Sequence, residues 1–395
     1  MRIESCPRIP PDRDFVLRLE TFLLERMQST WEHSVRYNLS ESGMNPVSLA
    51  DLADLGLDFE KLTSTPLGYS PTNGTVELRR AIAQHYPGAS VDQIEVTNGT
   101  SEANFLVCLT LLGEGDEVLF ELPNYLQVCG IPPMVRSSVR TFRLRADEKW
   151  EPDWDQFEKA LSSKTRIVYV SNPNNPTGAV LSQKAMNRLV AAVEAADAFL
   201  IADEVYRGAE LSGELTPSFW GMSDRVIVTS GLSKAFGIPG VRIGWIVGPP
   251  EFVADCWANH DYISIGPNMI GDMVAQVAMK KANSKKLFGR THTLLRENLK
   301  VMKRWLDSFD GFFEYIEPQA GAFVFVKYQS DIASVDLAER IRRNQDVLVV
   351  PGAHFGMEGY LRISLGVERE TLSAALVRIK NELETLRTPS PNAKP

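Results

Sequence analysis

Lys234 is the residue whose surroundings best suit it to chemistry. It lies in the segment 228–245, V-T-S-G-L-S-K-A-F-G-I-P-G-V-R-I-G-W. Residues 226–228 are apolar and β-branched, as in a buried strand, and Ser230-Gly231 breaks the run. Pro239-Gly240 turns the chain, and a second apolar run leaves at residues 243–247, with Arg242 at its mouth. One primary amine is thus set among small residues, with hydroxyls at Ser230 and Ser233 and a guanidinium eight positions on. Most lysines are simply solvated. The alternative is an amine that forms a Schiff base with a carbonyl cofactor. Such an amine needs a lowered pKa, and the cofactor's phosphate needs donors such as arginine.

Residues that could act with it follow in order along the chain. Residues 94–97 read as a strand, Asn98-Gly99 as a turn and 101–112 as a helix. Thr100, Ser101 and Glu102 would then present first-turn amides at the positive end of the helix, which is an anion site. Thr100 could equally be an ordinary N-cap. Tyr125 follows strand 117–123; an aromatic just past a strand end can stack on a flat ring or fill a core. The loop 172–178, N-P-N-N-P-T-G, is stiffened by two prolines, and the Asn175 amide can both donate and accept. Residues 198–202 form an apolar strand that ends at Asp203, with Tyr206 three residues on. A carboxylate there is costly unless a cation or donors meet it, and a protonated pyridine nitrogen is such a cation. Arg362 sits in Y-L-R-I-S-L-G. A buried guanidinium needs an anion, supplied by a substrate carboxylate or by an internal salt bridge. Residues 37–44, including Gly43, suit either a pocket lining or a plain loop.

Each of these positions falls at a strand end of an alternating β/α pattern. In that order the strings resemble the fold-type I pyridoxal-phosphate (PLP) enzymes, the class I/II aminotransferases, over residues 37–386. The resemblance implies an α/β fold: a large PLP-binding domain with a mostly parallel seven-stranded sheet flanked by helices, plus a smaller α+β domain built from both chain ends. It divides the chain into an N-terminal segment joining the small domain (1–45), a large domain (46–289), a small domain (290–387) and a disordered tail (388–395).

The resemblance also implies roles. Lys234 would carry pyridoxal 5'-phosphate as a Schiff base, and Asp203 would keep the pyridine nitrogen protonated. Asn175 and Tyr206 would hold its phenolic oxygen, and Tyr125 would lie on its ring. Thr100, Ser101, Glu102, Ser233 and Arg242 would take the phosphate. Tyr69, in the turn-rich loop 66–74, would reach the phosphate of a partner subunit, which implies a homodimer with shared sites. Arg362, with Asn175 and Gly43, would hold the substrate carboxylate. Gly231 departs from the pattern, since many relatives carry serine three residues before the lysine; Ser230 or Ser233 would compensate.

Composition agrees with a globular enzyme. The chain has 395 residues, 44% hydrophobic and 23% charged, with a net charge of −8. That acidic balance argues against a nucleic-acid surface. Cys6, Cys108, Cys129 and Cys256 are scattered, which argues against a disulfide framework or zinc site and for a reducing cytosol; no metal is expected. No apolar run approaches membrane-spanning length, and residues 1–14 hold no signal-peptide core. Residues 15–27 read as a helix with Phe15, Leu19, Phe22 and Leu23 on one face. His260, one of five histidines, reads as structural.

The function these readings favour is transfer of an α-amino group between an amino acid and a 2-oxo acid. Dicarboxylate-specific relatives take a second arginine after the lysine strand, and this chain has none between Arg242 and Arg290. Residues 40–43, S-E-S-G, and Asp261-Tyr262 resemble capreomycidine-synthase-type members, so β-elimination, replacement or cyclisation is the alternative. A PLP-binding transcription regulator would need a helix-turn-helix domain ahead of residue 37, and the residues there carry no basic surface. A non-catalytic sugar or nucleotide binder would have no use for Lys234.

Overall fold

The computed structural model describes residues 19–387. Fourteen strands occur among them: β1 (Tyr37–Asn38), β2 (Ile94–Thr97), β3 (Glu117–Leu122), β4 (Ser138–Arg145), β5 (Glu151–Pro152), β6 (Thr165–Ser171), β7 (Phe199–Asp203), β8 (Val226–Gly231), β9 (Gly244–Val247), β10 (Phe313–Tyr315), β11 (Phe323–Tyr328), β12 (Val347–Leu348), β13 (Val350–Pro351) and β14 (Tyr360–Ser364). The large sheet runs β2-β9-β8-β7-β6-β3-β4-β5. Its five central strands, β8-β7-β6-β3-β4, pair in parallel, while β2 with β9, β9 with β8 and β4 with β5 are antiparallel. The sheet therefore has one strand more than expected. The addition is β5, a two-residue edge piece too short to leave a period in the sequence.

The innermost strands β6 and β7 are largely apolar without alternation because helices cover both faces of a parallel sheet. Ile167 to Val170 and Leu200 to Ala202 are all within 1% of full burial. Helices Thr100–Leu111, Gln183–Ala195 and Pro250–His260 lie among the coverings. A parallel sheet puts the C-terminal ends of its strands on one edge, and there the order of strands brings distant loops together. Strand β7 lies between β6 and β8, so the Asn175 loop, Asp203 and Lys234 become neighbours.

A second, antiparallel sheet runs β10-β11-β14-β13. The apolar run 347–350 splits at Val349. β12 pairs in parallel with β1, tying the N-terminal segment to the C-terminal part, while β13 pairs with β14. Residues 37–38 and the strands from residue 347 on thus meet in this half of the fold. Residues 271–310 resolve into helix Met269–Ala278 and the 27-residue helix Lys281–Asp307.

The N-terminal helix differs from expectation. It runs Leu23–Trp31, and residues 15–18 lie outside the described part. Leu24 and Gln28 form its buried face, whereas Leu19 and Leu23 are 49% and 60% exposed. Phe22, its N-cap, packs its ring 4.9 Å from that of Tyr125. The tail 388–395, Cys6 and residues 1–14 also lie outside the described residues. Cys108, Cys129 and Cys256 are free thiols. No helix among the described residues is long and apolar enough to cross a membrane.

Candidate active site

One cavity of about 350 Å³ opens where the strand ends meet the small sheet. Ten of the residues singled out in the sequence line it: Thr100, Ser101, Tyr125, Asn175, Asp203, Tyr206, Ser233, Lys234, Arg242 and Arg362. Three do not. Gly43 lies just behind the wall, where a Cβ would come 3.2 Å from the Ser233 carbonyl oxygen and 3.7 Å from Lys234 Cδ. Tyr69 is 92% exposed. Glu102 turns away: its amide donates to the Gly99 carbonyl, and its Oε2 accepts from the Asn98 amide at 2.5 Å and meets His260 Nε2 at 3.2 Å.

The anion end is built by close approach of backbone and side chain. Gly99 (φ 92°) lets Arg242 lie against the turn, where Arg242 Nη2 donates to the Asn98 carbonyl at 3.3 Å. A Cβ at Gly99 would overlap that guanidinium. The helix Thr100–Leu111 starts here, and the Thr100 hydroxyl is buried with no hydrogen-bond partner. Such an orphan costs free energy unless a ligand satisfies it.

Gly231 explains its own departure from the family pattern. A Cβ at this buried position would come 2.5 Å from Thr100 Oγ1 and 3.0 Å from the Ile243 carbonyl. Serine has no room there. Of the two expected substitutes, Ser233 lines the cavity, whereas the Ser230 hydroxyl donates to the Glu204 carbonyl at 3.3 Å and lies outside it. Gly231→Ser is expected to lower the melting temperature and weaken phosphate binding together, at a cost of about 1–3 kcal/mol from overpacking. Calorimetry of the variant beside the parent checks this.

Asp203 is buried at 6% exposure. Its Oδ2 accepts from Asn104 Nδ2 at 2.9 Å and from the Tyr169 hydroxyl at 3.0 Å, and Oδ1 accepts from the Val205 amide at 3.0 Å. Burial pushes its pKa up, against the opposing pull of these donors and of Lys234. A carboxyl poised in this way gains most from a cation placed against it. Sequence reading missed Asn104 and Tyr169. The signal for Asn104 was a lone amide in the otherwise apolar stretch 103–108.

Lys234 departs from expectation. Burial pulls its pKa down, but Glu41 and Tyr206 outweigh burial, and the net direction is up. Glu41 Oε1 lies 3.1 Å from Lys234 Nζ and also accepts from the Ser42 and Gly43 amides at 3.0 Å. The Lys234 ammonium, followed by the hydrogen bond from it, holds Glu41 at about 2 despite burial. Glu41 was missed as well; its signal was a charged residue flanked by serines in a segment of small residues.

Arg362 is 1% exposed. Nη1 donates to Asn175 Oδ1 at 2.9 Å and Nη2 to the Ser40 carbonyl at 2.5 Å, while Nε is buried without a partner. The rings of Phe323 and Phe355 lie 5.5 Å and 5.0 Å from the guanidinium carbon. Among the described residues no carboxylate comes within 4 Å of it, so an internal salt bridge does not account for its burial. Burial pushes its pKa down, partly offset by Tyr206 and Glu41. With the Asn175 oxygen engaged by Arg362, the Asn175 amide nitrogen is the donor left for a ligand.

His260 lies outside the cavity and is fully buried between two carboxylates, with Nδ1 2.8 Å from Glu95 and Nε2 3.2 Å from Glu102. Burial lowers its pKa, but Glu102 and Glu95 together raise it from 6.5 to about 9. A histidine raised in this way contributes stability that is complete below pH 6.5 and is lost as pH rises through about 9. Burial raises Glu95 from 4.5 to about 7, and that contribution is likewise lost with rising pH. His260→Gln is expected to cost about 3–5 kcal/mol, since it strips a buried carboxylate of its cation. Urea unfolding on either side of that window should show the alkaline loss in the parent and a much smaller loss in the variant.

Residues 42–379 match the family model for aminotransferase class I and II, and the chain belongs to that family of PLP-dependent enzymes. It is 30% identical over 378 residues to capreomycidine synthase of Streptomyces vinaceus, covering 93% of each chain. It is 27% identical over 327 residues to an aspartate aminotransferase of Thermotoga maritima, covering 80% of this chain and 84% of the relative. A PLP-dependent aminotransferase structure from Streptococcus suis superposes with a TM-score of 0.89 at 29% identity, covering 95% of this chain and all of that one. The PLP-dependent cyclase OrfR gives 0.85 at 25% identity, covering 94% and 99%.

The cofactor of this family is pyridoxal 5'-phosphate, and the lining fits it. The unpartnered Thr100 hydroxyl and Arg242 stand at an anion end, and the buried Asp203 carboxyl and the primary amine of Lys234 line the same cavity. The donors suit a phosphate, the carboxylate would accept from a protonated pyridine nitrogen, and the amine is the nucleophile for a carbonyl carbon.

Proposed function

We propose that this chain is an aminotransferase that moves an α-amino group between an amino acid and a 2-oxo acid. The observation that carries the reading is the meeting of Asp203, Lys234 and the unpaired Arg362 in one cavity. Bound pyridoxal 5'-phosphate supplies a carbonyl to receive the amine and an electron sink for the charge left when Cα loses its proton. The chain supplies the rest. Thr100, Ser101, Ser233 and Arg242 hold the phosphate. Glu102 contributes only through its bond to the Asn98 amide. Asp203 keeps a proton on the pyridine nitrogen, Tyr206 and the Asn175 amide donate to the phenolic oxygen, and Tyr125 covers the ring. Arg362, with Asn175 and Gly43 at the wall, fixes the substrate carboxylate so that the Cα–H bond faces Lys234. Lys234 would then take that proton and deliver it to the former carbonyl carbon of the cofactor, on the other side of the amine nitrogen.

The same reading makes the protein a cytosolic homodimer. Tyr69, 92% exposed and outside its own cavity, would reach the phosphate site of the partner subunit. It also keeps the division into a large domain at 46–289 and a small one at 290–387, joined by the N-terminal segment.

A second reading is a PLP-dependent lyase or cyclase acting on an amino acid. It is favoured by the 30% identity to capreomycidine synthase and by Glu41, a carboxylate held 3.1 Å from the Lys234 amine. A panel of amino acids, assayed with and without 2-oxo acids, separates the two. Amino transfer that requires an oxo acid supports the first reading. Ammonia release or a cyclised product without an oxo acid overturns it in favour of the second.

A further inference from the structure

We infer that His260 is a positioning residue for the cofactor phosphate, whose cation fixes Glu102 behind the phosphate turn and cancels a negative charge that would otherwise face the phosphate. The inference rests on the PLP-enzyme reading above and deepens its anion end. His260 ends the helix Pro250–His260, is fully buried and does not line the cavity. It therefore acts through other groups.

A chain of contacts leads from it to the anion end. His260 Nε2 lies 3.2 Å from Glu102 Oε2 and 3.0 Å from the Ser264 hydroxyl. The same Glu102 oxygen accepts from the Asn98 amide at 2.5 Å, and the Asn98 carbonyl accepts from Arg242 Nη2 at 3.3 Å. Asn98 Nδ2 donates to Ser264 Oγ at 2.9 Å and to the Gly266 carbonyl at 3.1 Å. Asn98 is thus held by both backbone and side chain. The next two residues, Gly99 and Thr100, cap and start the helix whose first turn lines the cavity. With Asn98 fixed, Arg242 and the unpartnered Thr100 hydroxyl keep one orientation.

Charge gives His260 a second task. A first-turn carboxylate draws on the positive end of its helix, which is the same feature a bound anion uses. Glu102 therefore opposes a phosphate that carries about −1.5 to −2 charges. Burial works against the Glu102 carboxylate, but bonds from His260, the Asn98 amide and Ser264 outweigh it and hold its pKa below the usual range. It stays ionised, and a cation beside it is what cancels its field. Glu95 of β2 faces the other ring nitrogen at 2.8 Å. Arg79 of the helix Val76–Ala83 and Asp261 act on Glu95 at longer range, and burial pushes up the thiol of Cys256 on the same helix as His260. Burial lowers the His260 pKa, yet Glu102 and Glu95 raise it to about 9, so the imidazole is a cation at neutral pH.

The test measures dissociation constants of pyridoxal 5'-phosphate and of pyridoxal, which lacks the phosphate, on the full chain freed of cofactor. Their ratio reads the phosphate contribution, because titrations of the ring and of Lys234 are common to both ligands and cancel. In His260→Gln the ratio should fall about tenfold from the parental value while pyridoxal binding holds. In the double variant Glu102→Gln/His260→Gln it should return toward the parental value. The uncompensated charge is then gone, and the glutamine oxygen can still accept from the Asn98 amide. The parent supplies a further arm that needs no variant to fold: its ratio should drop as pH rises through about 9, where His260 gives up its proton. Equal loss of both ligands in His260→Gln, a double variant as weak as the single one, or a flat parental profile overturns the inference. A protein that takes up neither ligand overturns the proposed function, and this inference with it. One that prefers the phosphorylated ligand but shows none of these shifts overturns this inference alone.

Discussion

Lys234→Ala is expected to reduce turnover by about 10³-fold or more while leaving the fold intact. Two effects combine. The amine that bonds the cofactor carbonyl is lost, and so is the group that moves the proton at Cα; positioned general acid–base groups alone contribute about 10²- to 10⁴-fold. The substitution also releases Glu41, which Lys234 holds at a pKa of about 2. That depressed value contributes stability above pH 4.5 that is lost as pH falls through about 2, so the alanine variant should lose part of its stability at neutral pH and be less acid-sensitive. Single-turnover measurements with added amine separate lost chemistry from lost binding. A variant with parental turnover would contradict the assignment.

Asp203→Asn is expected to have the next largest effect, about 10²- to 10³-fold in kcat with little change in KM. The carboxylate acts on charge that develops only as the Cα proton leaves, and preorganised groups of that kind are worth this much. The structure supports a charge role because Asp203 is held by Asn104, Tyr169 and the Val205 amide, three donors suited to an anion, while burial alone would neutralise it. Asparagine keeps the shape and removes the charge. Steady-state kinetics beside circular dichroism would check it, and an unchanged kcat would mean that nothing in the reaction uses the negative charge at this position.

Much of this site was legible in the sequence because strand ends leave local marks. Apolar runs such as 226–228 and 198–202 predict buried strands, and the residue that breaks each run lands at the sheet edge. Lys234, Asp203 and Asn175 were found this way, and the cavity brings all three together. Other features leave no such mark. Glu41 and Asn104 matter through neighbours 193 and 99 positions away in the chain, a relation no local pattern encodes. The split of residues 347–350 between two sheets depends on which strands arrive beside them, and the two-residue β5 is shorter than one period of alternation. The N-terminal helix starts later than its apolar spacing suggests, because Leu19 and Leu23 share a face in the sequence yet stay exposed, whereas Leu24 and Gln28 pack. Gly231 shows the reverse case. The sequence marked it as a departure, and only the 2.5 Å distance to Thr100 Oγ1 gives the reason.

The most direct measurement is borohydride reduction of the PLP-loaded protein, followed by proteolysis and mass analysis of the labelled peptide. Reduction fixes the cofactor to whichever amine it is bonded to. The label is expected on Lys234 and to vanish in Lys234→Ala. A label on another lysine, or none on a protein that retains PLP, would contradict the central claim.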